Sequence, residues 1–212
     1  MDNDQYQKVQ KTIGYYNRFS NRYDRAYAAY LDHTHQRLLR QIGNIDISGE
    51  RILDVSCGTG LLAEQLLKHY SDLDLVLNDP ADDMRAVAEK RVKSKTKAEF
   101  SDMLAEDLAF EPDSFNRVIC LNSFHYYVDQ AVALRNMQNA LKSGGSIHML
   151  DWNLEGWFHL PNAIISALSR ENINTRSVDE TEEMFESTGL KITERQTWNY
   201  RFWKFYLIEA TK

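Results

Sequence analysis

The feature that most constrains this chain is a glycine-containing turn between an apolar run and a helix-like segment. Residues 51–55 are mostly apolar, the turn reads Ser56-Cys57-Gly58-Thr59-Gly60, and residues 61–67 carry leucines at helical spacing. A short apolar run bounded by turn residues predicts a buried strand, and apolar spacing of three and four predicts a helix. The order strand, tight turn, helix indicates an α/β protein.

The same alternation continues along the chain. We predict further strands at 73–77, 98–101, 116–122 and 146–150, and helices at 82–95 and at 130–142, the second closed by residues 143–145. Strands that alternate with helices of this length imply βαβ units and a parallel sheet. The runs 191–198 and 200–210 are too close for a crossover and predict an antiparallel hairpin at the sheet edge. The fold class is therefore a doubly wound, mostly parallel α/β sheet.

The domain organisation follows from where this alternation begins. Residues 4–42 lack strand-like alternation and are rich in aromatic residues, which predicts a helical segment. The chain has 212 residues with only 9 Gly and 3 Pro, and no linker-like stretch divides it. We expect a single structural domain with an N-terminal helical cover at 1–48, an α/β domain at 49–212 and a lid insertion at about 152–178.

Composition excludes several classes of function. The net charge is −6, from 25 basic and 31 acidic residues, which disfavours a nucleic-acid-binding surface. The two cysteines cannot form a disulfide framework or a thiolate-rich metal site, so we expect no metal. No secretory signal and no apolar run long enough to span a membrane is present, which makes a cytoplasmic location without membrane contact the default.

The residues around the glycine turn predict a nucleoside-containing cofactor. Gly58 and Gly60 let the backbone approach a ligand, and Asp79 follows the second strand, where a carboxylate can accept both ribose hydroxyls. The loose dinucleotide pattern Gly58-x-Gly60-x-x-Ala63 leaves a nicotinamide cofactor open. Asp54, at the end of the first strand, would repel a pyrophosphate and suits the cationic methionine moiety of S-adenosylmethionine.

At this point the sequence resembles the class I S-adenosylmethionine-dependent methyltransferases. Their first motif, D-x-G-x-G-x-G, is matched by residues 54–60, and three further family patterns occur in the right order at 79–84, 108–116 and 142–145. The N-terminal segment 15–24 is similar to that of small-molecule members, including the quinone methyltransferases. The resemblance implies a Rossmann-like seven-stranded sheet, an antiparallel C-terminal hairpin strand and methyl transfer to O, N or C of a small molecule, with S-adenosylhomocysteine as product.

The resemblance also implies which residues hold the cofactor. The candidate cofactor-binding residues are Tyr16, Tyr23, Asp54, Ser56, Gly58, Gly60, Asp79, Pro80, Met84, Asp102, Met103 and Asn122. Ser56 departs from the family, which usually has Gly there. Leu104 stands where the family has the acidic residue near the adenine amino group, and Asp102 is the nearby replacement that we expect.

The ends of the fourth and fifth strands carry the candidate acceptor side. His125 is the candidate general base, since the pKa of a histidine side chain lies near neutral pH. Alternatively, His125 packs at a helix start and lines the cofactor pocket. Asp151 orients a substrate hydroxyl or amine, or caps the next segment. The candidate substrate-binding residues are Tyr126, Asp151, Trp152 and Trp157, whose aromatic character suits a planar apolar acceptor or an amine. The hairpin aromatics Trp198, Tyr200, Phe202, Trp203, Phe205 and Tyr206 are interpreted as sheet core.

Three functions stay open from the sequence. The first is a small-molecule methyltransferase acting as a monomer or homodimer. The second is an NAD(P)-dependent oxidoreductase, although no Tyr-x-x-x-Lys follows the fourth strand. The third is a non-catalytic relative that keeps the fold and binds a ligand or partner, an alternative that Ser56 raises.

Overall fold

The computed structural model describes residues 3–43, 45–93, 98–169 and 171–212, which build one seven-stranded sheet. The strands are β1 (Arg51–Asp54), β2 (Asp74–Asn78), β3 (Glu99–Ser101), β4 (Phe115–Leu121), β5 (Leu141–Trp152), β6 (Lys191–Tyr200) and β7 (Trp203–Thr211). Their order is β3-β2-β1-β4-β5-β7-β6. The first five strands pair in parallel, and β7 pairs antiparallel with both β5 and β6. The predicted fold class is confirmed, including the terminal hairpin.

Helices cover both faces of this sheet. They are α1 (Asn3–Ala26), α2 (Ala28–Ile42), α3 (Leu61–His69), α4 (Asp82–Val92), α5 (Gln130–Ala140), α6 (His159–Leu168) and α7 (Val178–Ser187). Among the described residues, no helix combines the length and the apolar character that a membrane crossing requires.

Two hydrophobic cores follow from the alternation of side chains along the strands. In β1, Ile52 belongs to the core that packs against α2, α3 and α4. Its neighbour Leu53 belongs to the opposite core, against α5 and α7. Both side chains are essentially inaccessible to solvent. This two-sided burial explains why the central strands carry consecutive apolar residues, such as Ile52 and Leu53 in β1.

One predicted helix boundary is wrong. Helix α5 ends at Ala140 rather than at 142, and residues 143–145 lie inside β5 instead of closing the helix. At Gly145 a Cβ atom would lie 2.7 Å from the carbonyl oxygen of Asn116, so only glycine lets β5 run this close to the neighbouring chain.

Two further helices differ from the prediction. The predicted helix 82–95 ends at Val92, and residues 94 and 95 lie outside the described part of the chain. Helix α7, which sequence reasoning missed, begins with a capping box in which Ser177 and Glu180 satisfy each other's backbone N–H groups. The Ser-x-x-Glu spacing was the available signal.

The cover at the N-terminus sits where a ligand site is expected. The carboxyl ends of β1, β2 and β4 meet at one edge of the sheet, and α1 packs against α4 there. Asp24 of α1 accepts a hydrogen bond from Thr59 Oγ1 at 2.6 Å, in the glycine turn, and pairs with Arg91 Nη2 at 2.5 Å. The long helix is thereby fixed across the edge at which α/β proteins bind ligands.

Candidate active site

The glycine turn has the backbone conformation that its sequence suggests. Gly58 and Gly60 have φ angles of 53° and 72°, in the left-handed region that favours glycine. Gly60 begins α3, and a Cβ atom there would lie 2.9 Å from the Cβ of Ala88 in α4. The N–H of Gly58 donates to Asp79 Oδ2 at 2.8 Å, which ties the turn to the end of β2.

Two buried carboxylates face each other across this turn. Asp79 also accepts the N–H of Ala81 through Oδ1 at 2.8 Å. Asp54 Oδ1 is buried and has no hydrogen-bond partner among the described residues. Burial, together with the neighbouring Asp79 carboxylate, raises the pKa of Asp54 to about 7, and burial raises the pKa of Asp79 to about 6. An unpaired buried carboxylate is costly, so Asp54 is built to meet a cation or donor from a ligand.

Asn78 holds the three strand ends together, a role that sequence reasoning missed. Its Nδ2 donates to the carbonyl oxygens of Val55 and Met103, at 2.8 and 2.9 Å. Its Oδ1 accepts from Ser101 Oγ and from the N–H of Met103. The amide is fully buried, so every donor and acceptor it offers is used to fix the loops after β1, β2 and β3.

A strand-end cavity opens beside these loops. Its empty space, open mouth included, is about 820 Å³. Predicted site residues that line it are Tyr16, Tyr23, Ser56, Gly58, Asp79, Pro80, Met84, Asn122 and Tyr126. Leu104, Ala105 and Glu106 also line it, and sequence reasoning missed Glu106, whose carboxylate accepts the N–H of Val128 at 2.7 Å.

Two smaller spaces adjoin the strand-end cavity. A glycine-turn pocket reaches Asp54, Ser56, Gly58 and His35. An aromatic cavity of about 660 Å³, mouth included, lies on the other side. It is lined by Tyr16, Tyr23, Tyr27, Tyr30, Asn122, Tyr126, Trp152, Ile165, Glu171, Phe202 and Trp203. Tyr23 and Asn122 line all three spaces, so the three meet at these two residues.

Side-chain hydrogen bonds fix the shared walls of these spaces. Tyr30 donates to Asn122 Oδ1 at 3.0 Å and accepts from Trp152 Nε1 at 2.8 Å. Tyr16 donates to the hydroxyl of Tyr126 at 2.7 Å, which joins α1 to the turn after β4. The junction is therefore preorganised rather than a gap between loops.

The structure joins two residues that the sequence treated separately. His125 Nδ1 lies 2.5 Å from Asp151 Oδ1, and the N–H of His125 donates to Asp151 Oδ2 at 2.9 Å. The imidazole stacks on Trp152 with ring centroids 4.0 Å apart. Its Nε2 is buried without a partner among the described residues, and His125 lines none of the three spaces. The hydrogen-bonded His125 and Asp151 therefore pack against Trp152, which lines the aromatic cavity.

Several other predicted residues lie away from these spaces. Asp102 is exposed to solvent. Met103 contributes its backbone to Asn78, and Gly60 contributes the start of α3. Trp157 is 48% exposed and packs on Phe158.

The hairpin aromatics divide in a way that sequence reasoning missed. Phe205 and Tyr206 belong to the core, as predicted. Phe202, in the turn, and Trp203, the first residue of β7, line the aromatic cavity, and Trp203 also packs against the core.

Ser56 finds a partner within the protein. Its Oγ lies 2.7 Å from the hydroxyl of Tyr127, which also contacts Ser123. The serine that departs from the family pattern therefore joins the loops after β1 and β4 and also lines the glycine-turn pocket.

Comparisons with known proteins agree with this geometry. Residues 52–145, from β1 into β5, match the methyltransferase domain family. The O-methyltransferase rstn1 of Aspergillus nomiae is 29% identical over 167 residues, covering 75% of this chain and 73% of that protein. Over this domain the chain is similar to S-adenosylmethionine-dependent methyltransferases that act on small molecules.

Two further methyltransferases extend the comparison. The ubiquinone biosynthesis O-methyltransferase of Xanthomonas euvesicatoria is 30% identical over 111 residues, but the match spans 51% of this chain and 46% of that enzyme. Phosphoethanolamine N-methyltransferase 2 of Haemonchus contortus, solved with S-adenosylhomocysteine, superposes with a TM-score of 0.73 at 19% identity, covering 85% of this chain and 53% of that one. The second likeness concerns the fold.

The residues present fit the cofactor of the family. The unpaired Asp54 Oδ1 offers an acceptor for the ammonium of a methionine moiety. Asp79 keeps lone pairs beyond the two that its backbone donors use, and these can accept ribose hydroxyls. No described basic side chain lines the glycine-turn pocket apart from the near-neutral His35, whose pKa burial lowers to about 4. A pyrophosphate would instead meet the Asp54 carboxylate in this pocket, which disfavours the nicotinamide alternative, and the comparisons support a methyltransferase.

Proposed function

We propose that the chain transfers the methyl group of S-adenosylmethionine to O, N or C of a small acceptor bound in the aromatic cavity. One observation carries this arrangement: the strand-end cavity, the glycine-turn pocket and the aromatic cavity meet at Tyr23 and Asn122. A cofactor that spans the first two spaces would present its reactive centre at that junction. An acceptor in the third space would face it directly.

The cofactor half would work through fixed polar groups. Asp54 would hold the ammonium group, Asp79 the ribose, and Pro80, Met84 and Leu104 the adenine side of the strand-end cavity. When bound, S-adenosylmethionine supplies an electrophilic methyl group. The protein's own task is to align donor and acceptor and to exclude water.

The acceptor half would exclude water with aromatic side chains. Tyr16 and Tyr126, joined by their hydroxyls, separate the strand-end cavity from the aromatic cavity, and Tyr30 holds Trp152 and Asn122 in place. A base is needed only when the acceptor arrives protonated. His125 stays a predicted base, and that role requires an acceptor atom to reach the buried Nε2 behind Trp152.

The relatives point to different acceptor atoms. Two curated relatives are named O-methyltransferases, and the solved structural neighbour is named an N-methyltransferase. Which atom of the acceptor is methylated therefore has to be inferred from the residues that line the aromatic cavity.

Calorimetric titration followed by turnover tests the proposal. We expect S-adenosylmethionine and S-adenosylhomocysteine to bind and NADH and NADPH not to bind. A panel of phenols, quinones and amines is then incubated with S-adenosylmethionine, and release of S-adenosylhomocysteine is measured. Binding without release across the panel, together with a tight protein partner recovered from cells, would favour the non-catalytic alternative.

A further inference from the structure

The aromatic cavity contains one feature that methyl transfer in general does not require. Among the described residues that line it, Glu171 is the one charged side chain, and it stands among the rings of Tyr27, Trp152 and Trp203 and their neighbours. Aromatic faces and a carboxylate are the two groups that proteins use to hold an organic cation. Neither the aromatic faces nor the carboxylate would attract an acceptor that carries a negative charge.

The segment that carries Glu171 is held from two sides. The N–H of Asn172 donates to Thr12 Oγ1 of α1 at 3.0 Å, and its side-chain amide donates to the carbonyl oxygen of Tyr126 at 3.1 Å. Asn174 donates its N–H to the carbonyl oxygen of His125 at 2.7 Å. The carboxylate is therefore presented from an anchored backbone rather than from a loose loop.

The charge of Glu171 acts on the hydroxyl groups around the cavity. Burial raises the pKa of Tyr126, and the Glu171 carboxylate raises it further; the same two influences act on Tyr16, Tyr23 and Tyr27. A phenolic acceptor in this field would be held in its neutral form, whereas an ammonium would be attracted.

Glu171 also has a path to solvent. It lines both the aromatic cavity and an outer groove between α1 and a second wall that includes Ser166, Ser169 and residues 171–173. A proton that it accepts inside the cavity can leave through that groove. This satisfies a requirement of N-methylation, since the attacking nitrogen has to lose one proton.

We infer that the acceptor is a primary or secondary amine carried on an apolar body, and that Glu171 anchors its ammonium group and accepts its proton. This inference rests on the proposed methyltransferase function. Glu171 first takes one proton from the bound ammonium, which frees the nitrogen lone pair, and this proton leaves through the outer groove. The neutral nitrogen then forms its bond to the methyl carbon as the carbon–sulfur bond breaks, the sulfur keeps that electron pair, and the product is the methylated ammonium.

Binding of a matched pair of probes tests this inference without turnover. The protein is saturated with S-adenosylhomocysteine and titrated calorimetrically with benzylamine and with benzyl alcohol, which share a shape and differ in charge at neutral pH. We expect the amine to bind at least about tenfold tighter than the alcohol, as for a charge pair inside an apolar site. Glu171→Gln should abolish this preference and leave alcohol binding unchanged.

Two control variants sharpen the test. Asp72→Asn removes the same charge from an exposed position ahead of β2, at the opposite edge of the sheet, and should keep the preference for the amine. Trp203→Leu should weaken both probes, because it removes a wall of the cavity rather than the anchor.

The outcomes separate this inference from the proposed function. Failure of the wild-type protein to bind S-adenosylhomocysteine would contradict the proposed function itself. Normal cofactor binding with equal affinity for the two probes, with no amine binding, or with a preference that survives in Glu171→Gln would overturn the amine assignment alone.

Discussion

The two halves of this site are built from different materials. The cofactor half consists of backbone groups and two carboxylates at the adjacent ends of β1 and β2. Hydrogen bonds connect the loops of this half, such as the one from the N–H of Gly58 to Asp79 Oδ2. The acceptor half consists of rings brought from α1, α2, the turn after β4, the end of β5 and the β6–β7 turn.

This difference determines how each half responds to substitution. Hydrogen bonds to a buried carboxylate are directional, so losing one leaves several groups unsatisfied. Apolar packing is distributed over many side chains, so each ring contributes a share. We therefore expect single substitutions to disable the cofactor half and to tune the acceptor half.

The largest expected effect is at Asp79. Asp79→Ala removes the acceptor for the N–H groups of Gly58 and Ala81 and for the proposed ribose contact. Because a buried hydrogen-bonded charge is lost, S-adenosylhomocysteine should bind more than about tenfold more weakly. Calorimetric titration measures the change.

The matched control for this variant is Asp102→Ala. Asp102 is a carboxylate at the same edge of the sheet, but it is exposed to solvent. Exposed substitutions usually change free energies by at most about 0.5 kcal/mol, so affinity should stay within about twofold. A large loss at Asp102 would show that it does contact the adenine, as the sequence suggested.

The next largest effect concerns pH and Asp54. Its pKa is about 7 in the free protein, so the carboxylate takes up a proton as the pH falls through neutrality. The protonated group has lost the negative charge that would attract the ligand's ammonium. Affinity for S-adenosylhomocysteine should therefore fall between about pH 8 and pH 6. Asp54→Asn should bind about tenfold more weakly at pH 8 and show a flatter profile.

A ligand without the amino acid moiety provides the control for Asp54. Methylthioadenosine should bind the wild-type protein and Asp54→Asn equally well, because it has no ammonium to place. If Asp54→Asn weakened both ligands alike, Asp54 would be shaping the glycine turn rather than binding the cofactor.

The same carboxylate should limit the stability of the ligand-free protein. The folded pKa of about 7 lies above the ordinary aspartate pKa of 3.8, so Asp54 favours folding below about pH 4, and this contribution is lost as the pH rises through 7. The loss amounts to at most about 4 kcal/mol. Asp54→Asn should therefore unfold at a higher temperature than the wild-type protein at pH 8, as measured by calorimetry.

The cofactor half was predictable from sequence because its information is local. Asp54, Gly58 and Gly60 lie in one turn, and Asp79 occupies the equivalent place after the next strand, so parallel topology brings them together. The residues that escaped prediction act across loops. Asn78 supports the site through its side-chain amide, and Glu106 rather than Asp102 lines the strand-end cavity, because neither loop path follows from spacing alone.

The acceptor half was predictable only in outline. An aromatic lining was expected, but Trp157 is half exposed, while Phe202 and Trp203 line the cavity, Trp203 from a position that also packs against the core. Their positions depend on how the hairpin packs against α2, through pairs such as Tyr30 and Trp203 with centroids 5.1 Å apart. Long-range packing of this kind leaves no periodic signal in the sequence.

A smaller effect should appear in the acceptor half. Tyr30→Phe removes the hydroxyl that donates to Asn122 and accepts from Trp152 Nε1. Leaving these buried groups unpaired should lower the free energy of unfolding by about 1–3 kcal/mol. Binding of S-adenosylhomocysteine should stay within about twofold, because Asn122 keeps its second hydrogen bond, from Nδ2 to Thr34 Oγ1, and stays in place. Equal losses of stability and cofactor affinity would mean that the halves are not separable.

The smallest expected effect lies where α1 joins the two halves. Asp24→Asn weakens the pair with Arg91, a partly exposed contact at the glycine turn, and should reduce cofactor affinity by about two- to fivefold, the range of a partly exposed ion pair. Tyr16→Phe breaks the bond to Tyr126 at the other end of the cover and should leave cofactor affinity unchanged while weakening acceptor binding. If both variants lowered the affinity for the cofactor equally, α1 would act as one rigid body. Its two ends could then not be assigned to different ligands.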